Sequence, residues 1–284
     1  MYLQPLVDHF NDSFTSEHRT TFRPFVLDGD LVSGIFGPIR ISSLFTPLTL
    51  AENLATIVGH KAQNNVSTYE TKRLYSDEVE NLLRSDRNAA VSESIINFDR
   101  LCRTVHLMNY LPVVHLQGSV FLEVDPRHIL GIKKDHGAYF EDVIERCGLA
   151  TKNIVILTSL NNQYAKYYQE LNNGLSNYRS RGYQIALQFD AEAQNNEFFD
   201  FIAQLSPNYV CFAGGDVDLL RHPLLLDRLQ QLKTLVTAIG AQSILKQDDQ
   251  QQAAVVARST GFDVIHGSHY ADVPQGSVAL INHG

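Results

Sequence analysis

The sequence is poor in several features that would assign it a class at once. Its 284 residues include only three cysteines, Cys102, Cys147 and Cys211, widely spaced and without a CxxC pair. That excludes a disulfide framework and fits reduced thiols in a cytoplasm. Positive charge is scarce: 23 Lys and Arg stand against 31 Asp and Glu, for a net charge of -8. A nucleic-acid partner is therefore not expected, because a phosphate backbone is held by clustered Lys and Arg. No apolar run approaches the roughly 20 residues that span a bilayer, so no membrane partner is expected either. The opening MYLQPLVDHFNDSF has no basic stretch followed by an apolar one, as a secretory leader would. GxGxxG and GxxxxGK[ST] are both missing, which removes the usual nucleotide-binding signatures. Low-complexity tracts, long linkers and internal repeats are missing too.

What is present is ordinary globular material, 44% hydrophobic and 19% charged, enough for a sizeable core. Residues 1–20 read as a polar arm or short helix, and 21–284 as a single domain. Phe22–Leu27 and Leu31–Ile41 read as strands around the turn Asp28-Gly29-Asp30, an antiparallel hairpin. The region 47–110 reads mostly as helix, notably Thr49–Val58 and Ser92–Tyr110, with a loop at Asn64–Ser67. From Val120 onward strands and helices alternate. The strands fall at Val120–Val124, Ile154–Thr158, Gln184–Phe189, Tyr209–Phe212, Ala241–Leu245 and Asp263–Ile265. Between them lie the helical stretches Tyr139–Cys147, Gln163–Arg181, Glu197–Leu205, Pro223–Ile239 and Asp249–Thr260. Gly148, Gly182, Gly240 and Gly261 stand where helix C-caps want positive φ. Such alternation predicts an α/β fold with a parallel sheet, best closed as a TIM-type (β/α)8 barrel variant with an antiparallel first strand. An open doubly wound sheet is the alternative.

A more specific signal lies in the order of short segments. Arg23-Pro24-Phe25-Val26 resembles a Gln-Pro-Ile-Val strand, and Gly34-Ile35-Phe36-Gly37-Pro38-Ile39-Arg40 resembles Gly-Val-Glu-Ala-Leu-Leu-Arg. Phe121–Pro126 sits where Val-Asn-Leu-Ser-Pro is expected, and Val155–Ser159 where Leu-Glu-Ile-Thr-Glu is. Gly182–Leu187 precedes Gln188-Phe189-Asp190-Ala191 in place of Asp-Asp-Phe-Gly. Leu205–Ala213 is similar to a Pro-Asp-Tyr-Ile-Lys-Ile-Asp strand, and Ser243–Asp249 takes the place of Ala-Glu-Gly-Val-Glu. Gly261–Gly267 is similar to a closing Gly-Cys-Asp-x-Val-Gln-Gly. In this order the segments resemble the EAL-domain family of cyclic di-GMP phosphodiesterases.

The resemblance implies a two-metal phosphodiesterase site whose ligands are carboxylates, since hard divalent cations need oxygen donors. The departures from the pattern argue that this site is degenerate. The metal-ligand Glu of the naming motif is matched to Phe36, the Asn to Glu123, the next Glu to Ile156 and the paired aspartates to Gln188 and Phe189. The Lys falls on Cys211, the following Asp on Ala213, and the last Glu on Asp249. Phe36, Ile156 and Phe189 are expected to converge and fill the barrel mouth. Hence no catalytic residue, no metal and no cofactor are expected. Arg40, with Arg23 second, is the candidate phosphate contact.

The expected function is that of an inactive, regulatory protein-binding module in bacterial motility or biofilm signalling, as in the non-enzymatic flagellar anti-activators of enteric bacteria. Its partner would be a transcriptional or motility regulator, and cyclic di-GMP binding weak or absent. The alternatives are a non-hydrolysing cyclic di-GMP receptor or an atypical phosphodiesterase. Asp190–Glu197 and the helix Pro223–Ile239 are the candidate contact surfaces. His266, His269 and Asp272 are read as satisfied or exposed residues rather than as a metal site, and Gly214-Gly215-Asp216 as a tight loop.

Overall fold

The computed structural model describes residues 3–68, 73–74, 78–79, 91–113, 118–132, 135–190, 196–213, 223–247 and 250–267. The opening segment is a helix, α1 (Gln4–His18), with a proline in its first turn and a left-handed Arg19 ending it. Its inner face carries Val7, Phe10 and Asn11. Asn11 donates to the carbonyl of Phe25 at 2.8 Å and accepts from the same residue's N–H at 2.9 Å. One side chain thus closes part of the free edge of strand β1 (Phe25–Asp28), which would otherwise offer unpaired backbone.

The expected hairpin is there. β1 pairs antiparallel with β2 (Leu31–Phe36) across a turn in which Gly29 takes a φ of 62°. The stretch read as one strand to Ile41 breaks at Gly37-Pro38, and β3 (Ile39–Leu50) returns antiparallel to β2. β3 then forms a long antiparallel pair with β4 (Ile57–Thr68), and the short β5 (Arg73–Leu74) lies along β4. Two expectations are overturned here. Thr49–Val58 is a strand end, a tight turn and a strand start, not a helix. Asn64–Ser67 belongs to β4 and is not a loop.

Strand and helix then alternate much as expected. In chain order they are α2 (Val91–Tyr110), β6 (Ser119–Glu123), α3 (Pro126–Gly131), α4 (Ala138–Arg146), β7 (Ile154–Ser159) and α5 (Tyr168–Ser180). β8 (Gln184–Asp190), α6 (Asn196–Leu205), β9 (Tyr209–Ala213), α7 (Pro223–Ala238), β10 (Gln242–Gln247), α8 (Gln250–Thr260) and β11 (Val264–Gly267) follow. The four glycines expected at helix ends all have positive φ. The strands β4, β6, β7, β8, β9, β10 and β11 are mutually parallel, and β3 closes the circle antiparallel to β4 and β11. The result is a closed eight-stranded barrel with one antiparallel strand, and β1, β2 and β5 lie outside the ring.

Two apolar layers hold it together. Leu48, Phe121, Val155, Leu157, Ala186, Cys211, Ile244 and Val264 fill the barrel interior. The larger layer, between strands and helices, includes Ile156, Phe189, Phe198, Phe212 and most of α2. Within it Arg103 is fully buried, paired with Asp99 at 2.8 Å and lying 3.7 Å over the ring of Phe140; Asp99 also meets His128 at 2.7 Å. Among the described residues, no helix is long and apolar enough to cross a membrane.

Candidate functional site

In a parallel barrel the loops after the strands form one end, and chemistry concentrates there. Alternation along each strand decides which side chains point inward. With Leu48, Phe121, Leu157, Ala186 and Ile244 inside, the next inward positions toward that end are Thr46, Lys61, Glu123, Ser159, Gln188, Lys246 and His266. Cys211 completes the layer, which draws one residue from each barrel strand.

Half of this layer is a closed polar ring. Lys61 Nζ lies 3.3 Å from Glu123 Oε2. Ser159 Oγ donates to Glu123 Oε1 at 2.7 Å, and Gln188 Nε2 donates to Ser159 Oγ at 3.0 Å. Lys61 Nζ closes the circuit by donating to Gln188 Oε1 at 3.4 Å, with the Cys211 thiol 3.8 Å from the same oxygen. On the opposite wall Thr46 Oγ1 and His266 Nε2 share a hydrogen bond of 2.8 Å. The Lys61 side chain is only 7% exposed, whereas that of Glu123 is 48% exposed.

The electrostatics follow from two ammonium groups facing one carboxylate. Removal from water pushes the Glu123 carboxyl up, but Lys61, the Ser159 hydrogen bond and Lys246 together hold it below its usual value. Burial, assisted by Lys61 and Lys246, pushes His266 down to about 3, so its ring is neutral. Burial raises the Cys211 thiol to about 11, so it is no thiolate nucleophile at neutral pH.

Phe36 lies on β2, outside the barrel ring, with its ring 5.4 Å from that of Phe98. Ile156 and Phe189 face the helices, Phe189 packing on Phe198 and Phe212 at 4.7 and 5.6 Å. The three do not converge and do not fill the mouth. Glu123, Gln188 and Cys211 lie in one layer, and Ala213, half-buried, pairs with Lys246 at the rim. Asp249 lies outside the described residues, as do His269, Asp272, Gly214-Gly215-Asp216 and most of Asp190–Glu197. Arg40 is six residues before Thr46 on β3, about 20 Å along the strand, and pairs with Asp28 at 3.5 Å. Arg23 pairs with Asp12 at 2.8 Å and Asp8 at 3.4 Å on α1.

The barrel has a hairpin of its own with the same punctuation as β1–β2. The antiparallel strand β3 carries Thr46-Pro47-Leu48-Thr49, and its partner β4 carries Gly59-His60-Lys61-Ala62. Gly59 is required by packing: a Cβ there would sit 2.4 Å from the Ser119 carbonyl oxygen on β6 and 3.0 Å from the Phe121 ring. Thus Lys61, and not Phe36, comes from a barrel strand and reaches the mouth. On β10 Lys246 takes the inward position beside His266. On β7 the inward residues are Leu157 and Ser159, one step from the expected Ile156. Lys61, Lys246, Ser159 and Thr46 were missed; the signal for the first was Pro47 followed at hairpin distance by Gly59.

No family model matches the chain, and no curated protein matches it in sequence. Solved structures do. The EAL domain of Xanthomonas citri FimX, in complex with cyclic di-GMP, is 10% identical with a TM-score of 0.63, over 95% of this chain and 94% of that one. A standalone EAL protein from Vibrio cholerae, bound to cyclic di-GMP, is 14% identical with a TM-score of 0.61, over 82% and 91%. The Bacillus subtilis YkuI protein, with an EAL domain, cyclic di-GMP and calcium, is 18% identical with a TM-score of 0.62. There the match covers 82% of this chain but only 55% of YkuI, a little over half its length. At these identities the likeness defines the fold: this chain has the fold of EAL domains.

The two divalent cations implied by that fold need several carboxylates. Among the described residues, no group of three His, Cys, Asp or Glu is placed to hold a metal ion. Among the described residues the mouth presents one carboxylate, already paired with an ammonium, and a second ammonium acting on it. These residues do not fit a two-metal centre, and no hydrolytic step is derived through one.

Proposed function

We propose that this chain is a non-hydrolytic EAL-fold regulator, a cytoplasmic module of bacterial cyclic di-GMP-type signalling that acts by contacting a protein partner. The observation that carries this reading is Lys61. A buried ammonium, held by Glu123 and Gln188, occupies a place where the family pattern has a metal-binding carboxylate. A second ammonium, Lys246, repels cations from the same space. The partner is proposed to be a transcriptional or motility regulator, met through the mouth-side loops around 190–197 or through α7. Residues 21–284 are proposed as one barrel domain, with residues 1–20 as an arm carrying α1.

The test is direct. Purified protein with Mg²⁺ or Mn²⁺ should release no linear dinucleotide from cyclic di-GMP, and titration calorimetry should give a Kd above roughly 10 µM, about -7 kcal/mol. Metal-dependent hydrolysis by the unaltered chain would overturn the reading. The contact itself is tested by capture from the native host. Loss of a reproducible partner on neutralising 190–197 supports it, and indifference to changes there and in α7 refutes the assigned surface.

A further inference from the structure

Several N–H donors in the mouth are left over. The oxygens of Gln188, Ser159 and Glu123 each already hold a partner in the ring with Lys61. Lys61 donates to two of them and keeps a third N–H, and the Gln188 amide keeps one of its two. Among the described residues Lys246 has neither a hydrogen bond nor an ion pair for its three N–H donors. It shares the inward parity of Ile244, an interior residue two positions earlier on β10, and so stands on the mouth side with the ring. His266 is neutral, so two ammonium groups face one carboxylate and the layer carries a net charge of +1.

We propose that the barrel mouth is a metal-independent site for a phosphate group carried as a monoester or as free orthophosphate, held between Lys246 and Lys61. Spare donors and excess positive charge call for a ligand that only accepts hydrogen bonds. Three terminal oxygens of a monoester meet that surplus better than the two free oxygens of a diester. The ammonium groups supply, inside the protein, the positive charge that a bound cation supplies elsewhere. The site stands whether or not the chain has a protein partner.

The experiment is calorimetric titration of the whole chain in EDTA with orthophosphate, ribose 5-phosphate, ribose and cyclic di-GMP. The expected result is saturable binding of the two phosphates in the millimolar range or tighter, none of ribose, and weaker binding of the diester. Lys246→Gln should weaken it at least tenfold, Lys246→Arg should retain it, and the exposed-site control Lys152→Gln should leave it unchanged. Lys61→Gln is a second reporter, used with a melting curve because its ring is structural. Binding that appears only with added Mn²⁺, that survives Lys246→Gln, or that never saturates would overturn the proposal.

Discussion

Replacing Lys61 by Met tests the reading of the mouth at its centre, because it keeps most of the apolar stem and removes the ammonium, its charge and its N–H donors together. Two unit charges 3.3 Å apart attract by about 1.3 kcal/mol at the dielectric constant of water and about 5 kcal/mol at an effective constant of 20. Glu123 is half in solvent, which places the pair near the lower figure, about 1–2 kcal/mol. Burying an ammonium costs free energy that a methionine does not incur. Stability at pH 7 should therefore fall by no more than about 2 kcal/mol, and this small change is not the diagnostic one.

The diagnostic change is in a pH dependence. In the unaltered chain the Glu123 carboxyl lies below its ordinary value. A depressed carboxyl contributes stability that is present above the unfolded value and lost as pH falls through the folded one. Without Lys61 the charge and one hydrogen bond that lower the carboxyl are gone, and only Ser159 and Lys246 oppose its removal from water. The depression then shrinks, and with it the stability that Glu123 contributes above its unfolded value. Carboxyl-carbon NMR of ¹³C-glutamate protein should show the Glu123 titration moving upward in the variant. Urea unfolding at acid and neutral pH should show its contribution shrinking. If Glu123 titrates in the variant as it does in the parent, Lys61 is not what holds it down and the ring is misread.

The remaining predictions test the scaffold and the origin of the mouth. Gly59→Ala should cost about 2–4 kcal/mol in urea unfolding, because its Cβ would overlap the Ser119 carbonyl; a neutral substitution would mean that β4 and β6 are not so close. Asn109→Leu should cost a similar 2–4 kcal/mol. It strips the N–H and carbonyl of Val32 of partners held at 2.8 Å on each side, and an unchanged denaturation midpoint would count against that clamp. Combining Lys61→Glu with Lys246→Glu should create a Mn²⁺ site that calorimetry detects, since three carboxylates would then share the mouth with Glu123 among them. Failure of a folded double variant to bind Mn²⁺ would argue that the lysines do not stand in carboxylate positions.

The parallel part of the barrel was legible because both faces of its strands are buried. Such strands read as short, continuous apolar runs between helical stretches, and glycines punctuate the helix ends. The same property hid the phase of the inward residues. Ile154-Val155-Ile156-Leu157 is apolar on both faces, so nothing in the sequence distinguishes the interior Leu157 from the outward Ile156. On β8 the polar Gln188 beside Phe189 breaks that symmetry, yet both were matched to ligand positions and Phe189 was expected in the mouth, whereas it faces the helices.

The β3–β4 pair was illegible for two different reasons. Leu48, Leu50, Leu54, Ile57 and Val58 fall at spacings that a helix would also give, and Ala51–Thr56 contains nothing that forbids one. The turn shows itself only through tertiary closure, with Leu50 N–H donating to the Thr56 carbonyl at 3.0 Å and Ala51 N–H to that of Asp263. β4 itself reads as polar, Gly59-His60-Lys61-Ala62-Gln63-Asn64-Asn65, because its inward face lines a polar ring rather than a core. Meanwhile the outer hairpin β1–β2 offers a proline, a tight turn and a glycine in the order that the barrel's own hairpin repeats about 25 residues later. The sequence pattern was therefore matched to the outer hairpin, and Phe36 was named for the mouth where the structure brings Lys61. That displacement changes the chemistry inferred. A phenylalanine would have made a plugged, dry mouth, whereas two lysines make a charged one that rejects cations and has hydrogen-bond donors to spare. On the reading proposed above, Lys61 and Lys246 disfavour a metal and favour an anion by the same charges, because a side chain that takes a carboxylate's place with opposite charge reverses what a cavity can hold.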